Sequence, residues 1–329
     1  MSRTDDVRRA ATGEKNAWMR PVVASKRLRP AIFSDKEAIW ADNAASSRYF
    51  GNAYLCWTSF RTTTSPIVIA RSTDGGASWS NPLRLVGATP TATTGPTACT
   101  VRTDSRGVVY AFWHQINWPA PSAQMMARSF DGGRTFQPAR PVARVVQVGA
   151  LDPTHAARQD SRFTFDGVAG ARTWSGLSVD VANGAPRGRD ATDQLVMTWS
   201  DGRRGLNREQ ALVQSSRDRG GRWSVPVVAQ QAGDRPDFPA VAVSPNGTDV
   251  YLTYNAFLAP WQGTTFTARP MLGVVRHADL DSSGHIGAFA TVHRGAVGDA
   301  RASSENNLCC EFLGDYNYAA ATRSASSAV

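Results

Sequence analysis

An eight-residue motif occurs three times along the chain and constrains its fold more than any other sequence feature. It reads Ser-x-Asp-x-Gly-x-Ser/Thr-aromatic at Ser72–Trp79 and Ser129–Phe136, and Ser216–Trp223 keeps every fixed position except the seventh. The Asp carboxylate can accept N–H bonds inside a turn, and glycine supplies a positive φ. The final aromatic side chain can anchor the turn in a core. The motif therefore predicts a tight turn between two antiparallel strands.

We expect the following residues to build these structural turns: Ser72, Asp74, Gly76 and Trp79; Ser129, Asp131, Gly133 and Phe136; Ser216, Asp218, Gly220 and Trp223.

The flanking sequence repeats as well. An apolar run such as Ile67–Ala70 precedes each motif, and a short segment with proline such as Pro82–Leu85 follows it. Further upstream lie paired apolar runs joined by turns, including Asn246-Gly247, which is a strong hairpin signal. The repeat is thus a unit of four short antiparallel strands, near 35–88, 95–148, 174–231 and 236–293, the last with a degraded motif. Tandem units of this kind predict an all-β fold, a β-propeller of four-stranded antiparallel blades.

The composition is that of a globular chain, and it reduces the classes of partner that the chain can be expected to bind. Apolar residues make up 42% and charged residues 19%, so the chain can bury a core. The net charge of +9 comes from scattered basic residues, so we expect no nucleic-acid partner. No apolar stretch is long enough to span a membrane.

The cysteines and histidines do not have the spacing of a zinc site, so we expect no metal or other cofactor, with a structural calcium ion in a loop as an open alternative. Cys56 and Cys99 lie in apolar runs and are expected to be free core thiols. The neighbouring Cys309 and Cys310 leave two readings open, a vicinal disulfide or two reduced thiols.

With these motifs the chain resembles the sialidase superfamily, the Asp-box (BNR-repeat) proteins, from about Trp18 onward. Asp35-Lys36-Glu37 and Phe312-Leu313-Gly314-Asp315-Tyr316 also resemble bacterial sialidase-like members. The resemblance implies a six-bladed propeller with the motif between the third and fourth strands of a blade. It also implies a monomer that binds a glycan or sialoside, and export from the cell, although the N-terminus has no apolar signal region.

The two ends of the chain carry partial repeats. Trp18–Ala24 resembles the last strand of a blade, and Phe312–Ala321 resembles a first strand. The ring therefore looks incomplete, and three explanations stay open: a smaller ring, one blade shared by both ends, or a fragment. We expect a disordered or remnant segment at 1–17, a propeller at 18–323 and a flexible tail at 324–329.

Topology separates the candidate site from the motif turns. In a four-stranded antiparallel blade, the first and third turns lie on one face, and the second turn and the link to the next blade lie on the other. The connections on that second face are long, and long loops on a rigid scaffold carry function. From these loops we select as substrate-binding candidates Arg61, Arg203, Arg204, Arg235, Asp237, Trp118 and Trp261.

The resemblance implies a retaining hydrolase of terminal acidic sugars, which needs an arginine cluster, an acid, and a tyrosine nucleophile assisted by a glutamate. The catalytic candidates are Asp35, Asp201, Tyr316 and Glu311. Each has a structural alternative: a strand-end cap for Asp35, a surface turn for Asp201, and core packing for the pair of Tyr316 and Glu311, for which Tyr254 is an equally available tyrosine. The family's aromatic-Arg-Ile-Pro motif is absent, so the arginine cluster is not assigned. A non-catalytic propeller that binds glycan or protein, or a degenerate fragment of such an enzyme, is the rival hypothesis.

Overall fold

The computed structural model describes the chain except residues 26–32, 61–64, 87–93, 118–119, 152–162, 165–172, 264–265, 303–304, 307–309, 312–315, 324–325 and 329. Four four-stranded antiparallel sheets dominate it, each built from strands that are consecutive along the chain. We number them blades 1 to 4. None of the described helices is long or apolar enough to cross a membrane.

The strand bounds follow the repeat. Blade 1 contains β1 Phe33–Ala41, β2 Ala53–Phe60, β3 Ile67–Ser72 and β4 Leu83–Arg84. Blade 2 contains β5 Thr94–Thr103, β6 Val109–Asn117, β7 Ser122–Ser129 and β8 Arg140–Val145. A small pair, β9 Ala150–Leu151 and β10 Phe163–Thr164, precedes blade 3, which contains β11 Leu177–Val181, β12 Leu195–Asp201, β13 Gln210–Ser216 and β14 Val227–Val228.

Blade 4 contains β15 Arg235–Val243, β16 Asp249–Phe257, β17 Pro270–Asp279 and β18 Ala290–Arg294, and β19 Gly298–Asp299 pairs with the start of β17. Two short hairpins follow, formed by β20 Glu305–Asn306 with β21 Cys310–Glu311 and by β22 Ala319–Ala321 with β23 Ser326–Ala328. Before blade 1 lie a one-turn helix, α1 Val7–Ala11, and a 3-10 turn at Lys15–Ala17. A second 3-10 turn, Ala300–Ala302, follows β19.

The hydrophobic core lies between neighbouring blades. Tyr110 and Phe112 of β6 face blade 3, where they pack with Leu195 and Trp199, whereas Ala111 and Trp113 face blade 1. This alternation follows from the period of two in a strand, and both faces are apolar because each inner blade is covered on both sides. The predicted β-propeller of four-stranded blades is confirmed.

The motif turns join the third and fourth strands, as predicted. In the second turn, Asp131 Oδ1 accepts from Ser129 Oγ at 2.8 Å and from the Thr135 N–H at 2.9 Å, and Ser129 Oγ accepts from the Gly133 N–H at 2.8 Å. These bonds lower the pKa of Asp131 to about 2, even though partial burial works against them. Phe136 closes the turn by packing against the core between blades 1 and 2.

The first and third turns repeat this geometry. Asp74 accepts from Ser72 Oγ at 2.7 Å and from the Ser78 N–H at 2.9 Å. In the third turn, Asp218 accepts from Ser216 Oγ at 3.0 Å. The glycine N–H donates to the motif serine in each, Gly76 to Ser72 and Gly220 to Ser216, and the aromatic residues Trp79 and Trp223 pack against the apolar clusters beside them.

The expectation of free thiols at Cys56 and Cys99 is wrong, because these residues form a disulfide with a Cα–Cα distance of 5.8 Å. It joins β2 of blade 1 to β5 of blade 2. Sequence reasoning placed both residues in buried strands, but it had no means of showing that the two strands face each other. Cys309 and the side chain of Cys310 lie outside the described residues.

Candidate functional site

The first strands of the four blades surround a pocket, which we call the axial pocket. It has a volume of about 80 Å³. It is lined by Lys36, Glu37, Ala38, Ala98, Cys99, Thr100, Arg102, Trp174, Gly176, Leu177, Ser178, Phe238, Pro239, Tyr316, Asn317 and Tyr318. It lies along the middle of the first strands of blades 1, 2 and 4 and at the start of the first strand of blade 3.

Aromatic side chains and a lysine form the mouth of the pocket. The Lys36 ammonium lies 5.1 Å from the centre of the Tyr316 ring and 5.9 Å from that of Trp174. Tyr316 stacks on Tyr318 with ring centres 6.2 Å apart, and both rings are about half exposed. The mouth thus combines a positive charge with flat apolar surfaces.

The floor carries a second cation. The guanidinium of Arg102 lies 4.4 Å from the centre of the Trp40 ring, and its Nε donates to Asp180 Oδ1 at 3.3 Å. Burial raises the pKa of Asp180, and Arg102 opposes that rise. Asp180 Oδ2 also accepts from the Val243 N–H at 3.0 Å, so this carboxylate holds Arg102 in place and ties blade 3 to blade 4.

β-Bulges in three first strands shape the pocket wall. The pairing register shifts by one residue between Asp35 and Ala38, between Thr97 and Thr100, and between Asp237 and Ala240. Each bulge has one non-glycine residue in the left-handed region: Lys36 (φ 58°), Ala98 (φ 52°) and Phe238 (φ 47°). All three residues line the pocket.

Side-chain oxygens hold the N–H groups of these left-handed residues. Asp35 Oδ1 accepts from the Lys36 N–H at 2.8 Å, and Asp237 Oδ1 accepts from the Phe238 N–H at 3.1 Å. Thr58 Oγ1, on the neighbouring blade, accepts from the Ala98 N–H at 3.1 Å. Each N–H that the bulge removes from the strand ladder therefore has a partner.

Blade 3 reaches the pocket by another route. Its first strand begins at Leu177 in regular register, and Gly176 precedes it. A Cβ on Gly176 would lie 2.4 Å from the Trp174 indole, so the glycine provides the space in which the ring lies. Trp174 thereby occupies the side of the pocket that the bulge residues fill in the other blades.

Among the predicted catalytic residues, Tyr316 lines the pocket and Asp35 supports its wall. Asp201 does neither: it is fully buried, and its carboxylate accepts from Trp199 Nε1 at 2.9 Å and from Arg203 Nε at 2.7 Å. Asp201 closes the turn that follows β12, so the turn of the structural alternative is present, but the Asp201 side chain is buried and does not lie at the surface. Glu311 belongs to β21, and its side chain lies outside the described residues.

The predicted substrate-binding residues do not gather in one place. Arg235 is buried and pairs with Glu209, and Asp237 supports the Phe238 bulge and accepts from Thr173 Oγ1 at 2.6 Å. Arg203 borders a more open groove between blades 2 and 3, Arg204 is exposed, and the backbone of Trp261 is bound to Asn207. Arg61 and Trp118 lie outside the described residues.

Sequence reasoning missed Lys36, Trp174 and Phe238 as pocket residues. A signal was present, because an aspartate precedes a large side chain in Asp35-Lys36, Asp237-Phe238 and Asp315-Tyr316, each at or near a predicted first strand. Beside Trp174 lies His114, which is fully buried in β6; burial lowers its pKa to about 4, and its ring lies edge-on to Trp174 at 5.9 Å.

Among the described residues, one group has the side chains to hold a metal ion: Asp249, His277 and Asp279, with ligand atoms within 4.8 Å of one another. His277 Nε2 and Asp249 Oδ1 are 2.9 Å apart and already form a pair. The group lies near the short turns of blade 4, on the face opposite the axial pocket, so it has no part in the chemistry of that pocket.

No family model matches the chain, and no curated protein matches its sequence. Solved structures do match. An α-L-arabinofuranosidase from Fusarium graminearum, in complex with an iminosugar inhibitor, has a TM-score of 0.50 at 16% identity over 82% of this chain and 69% of its own. An α-L-arabinanase from Penicillium chrysogenum, complexed with arabinobiose, has a TM-score of 0.49 at 15% identity, with 87% and 70% covered.

A Hadza microbial sialidase is more distant, with a TM-score of 0.43 at 13% identity over 87% of this chain and 61% of its own. At these identities the likeness to the arabinofuranosidase shows the propeller fold and does not identify a substrate. Membership of the sialidase superfamily, which the sequence motifs suggest, stays a prediction.

Proposed function

We propose that the axial pocket binds the terminal acidic sugar of a glycan. The observation that carries this proposal is the lining itself, in which Lys36 lies at the mouth and Arg102, held by Asp180, lies on the floor, with Glu37 as the lining carboxylate. A carboxylate-bearing sugar would be drawn to such a pocket, and a neutral sugar would gain less. The fold alone does not identify a substrate, and the proposal names its class.

The aromatic lining supports a sugar in particular. The face of a sugar ring that carries C–H groups packs on aromatic rings, and Trp174, Phe238 and Tyr316 offer such surfaces around one small cavity. The small volume suits the end of a glycan and not a chain that lies across the pocket. We expect one sugar unit to enter, with its acidic group toward Lys36.

The test is a binding titration followed by tryptophan fluorescence, with N-acetylneuraminic acid and glucuronic acid as acidic probes and galactose and L-arabinose as neutral ones. We expect the wild type to prefer the acidic probes, and Lys36→Met to weaken their binding at least tenfold. Arg204→Ala, which removes an exposed loop cation outside the pocket, is the matched control and should bind like the wild type. Equal binding of acidic and neutral probes, or unchanged binding by Lys36→Met, would refute the proposal.

Hydrolysis of that terminal sugar, by a sialidase-like retaining mechanism, is a second candidate function. It is favoured by the presence of the Tyr316 phenol and the Glu37 carboxylate around the same pocket, the residue types that such a mechanism uses. A fluorogenic sialoside tests it. We expect Tyr316→Phe and Glu37→Gln each to abolish turnover while sugar binding persists. Binding without turnover in the wild type would leave a non-catalytic glycan-binding propeller.

A further inference from the structure

The three bulges of the axial pocket share a feature that ordinary strands avoid. A non-glycine residue in the left-handed region is disfavoured, because its Cβ approaches the following carbonyl oxygen. Lys36, Ala98 and Phe238 adopt this conformation at matching places in blades 1, 2 and 4. Such conformations persist only where surrounding contacts enforce them, and they concentrate at binding sites.

The surrounding contacts are present in each case. Asp35, Thr58 and Asp237 accept the N–H of the left-handed residue, and Cys99, which follows Ala98, is bound to Cys56. A bulge also turns the side chain of the extra residue away from the regular alternation of the strand. Here all three redirected residues line the pocket.

We propose that the left-handed bulge residues Lys36, Ala98 and Phe238 determine the ligand specificity of the axial pocket, and that the fold gives up stability to present them there. The inference rests on the proposed function and adds which positions select the ligand. Lys36 supplies charge and Phe238 supplies an apolar wall. The small side chain of Ala98 leaves room for bulky ligand groups on its side of the pocket. Asp35 and Asp237 act as positioning residues because they reach the ligand only through their neighbours.

The stability half of the proposal is tested by exchanging alanine for glycine. At a regular strand position glycine is the less stable residue, whereas at a left-handed position it is the more stable one. We therefore expect Ala98→Gly to raise the melting temperature by about 1–3 °C. Ala38→Gly is the matched control, because Ala38 lies just beyond the bulge of β1 in regular register with Cys56, and it should lower the melting temperature.

The specificity half is tested with Lys36→Asn, since asparagine tolerates the left-handed region and replaces the charge by an amide. We expect the preference for N-acetylneuraminic acid over galactose to fall at least tenfold, with Arg204→Ala, outside the pocket, unchanged. A melting temperature lowered by Ala98→Gly as much as by Ala38→Gly would overturn the stability half. A preserved preference in Lys36→Asn would overturn the specificity half.

The two proposals fail in different ways. If the wild type binds none of the acidic or neutral probes, the proposed function is refuted, and the specificity role falls with it. The direction of the Ala98→Gly shift still decides in that case whether the bulge is strained. If the wild type prefers the acidic probes and Lys36→Asn keeps that preference, the proposed function stands and the bulge residues are not its determinants.

Discussion

The buried ion pair between Arg235 and Glu209 gives the sharpest stability prediction. Arg235 Nε and Nη2 donate to the two carboxylate oxygens of Glu209, each at 3.0 Å, and Nη1 donates to the Ala259 carbonyl at 2.8 Å. The side chains are only 6% and 1% exposed. A guanidinium that loses its counter-charge at such a site keeps its desolvation penalty and loses the attraction that offset it.

We expect Glu209→Gln to lower the free energy of unfolding by about 3 kcal/mol. Loss of one partner from a buried pair typically costs about 3–5 kcal/mol. The lower end of this range applies because the glutamine amide oxygen still accepts a hydrogen bond from Arg235. Only the second carboxylate oxygen is lost, and the NH2 group that replaces it is a donor that faces the guanidinium. The Ala259 contact is unaffected by the substitution.

The double variant Glu209→Leu with Arg235→Met provides the control. It removes both charges and fills similar volume, so it should recover to within about 1 kcal/mol of the wild type. Guanidinium chloride unfolding, followed by tryptophan fluorescence, measures each midpoint. If Glu209→Gln unfolds within 1 kcal/mol of the wild type, Arg235 is not held by this pair, and its assignment as a substrate-binding arginine regains support.

Three further predictions follow from other contacts. Burial lowers the pKa of His114 to about 4 from 6.5, so its contribution to stability is present in full above pH 6.5 and is lost as the pH falls toward 4. The loss should reach about 3 kcal/mol in acid denaturation curves, and His114→Gln should remove that pH dependence. Reducing the Cys56–Cys99 disulfide, which joins residues 43 positions apart, should lower stability by about 4 kcal/mol, and a thermal melt with and without dithiothreitol measures it. Gly176→Ala should force the Trp174 indole out of the axial pocket, which a shift of tryptophan emission and weaker N-acetylneuraminic acid binding would report, whereas an unchanged spectrum would contradict the close approach.

The blade units could be predicted from the sequence because their signals are local. The Ser129–Phe136 motif carries the turn in eight consecutive residues, and the hydrogen bonds of Asp131 stay within them. Asn246-Gly247 likewise lies in the short loop between the paired residues Val243 and Val250. Alternation and turn chemistry were enough to fix strand order within each blade, because consecutive strands pair.

The site was less predictable because it depends on contacts between blades. Lys36 reaches the pocket through a bulge whose signal, an aspartate before a large side chain, becomes visible only when the first strands are compared, and the pocket exists only where several of them converge. Arg235 and Asp201 have the residue types of a sugar site, yet they form ion pairs with Glu209 and Arg203 away from the axial pocket. Residue type and loop position identified charged groups, and only their three-dimensional partners show which of them line the pocket.

The side-chain caps between blades also bear on the order in which the protein is made. Thr58 of blade 1 accepts the N–H of Ala98 in blade 2, and Ser178 and Asp180 of blade 3 accept the N–H groups of Val241 and Val243 in blade 4. In each case the acceptor is translated before the donor. A finished blade therefore offers a template to the first strand of a later one as that strand leaves the ribosome, which favours vectorial folding from the N-terminal end.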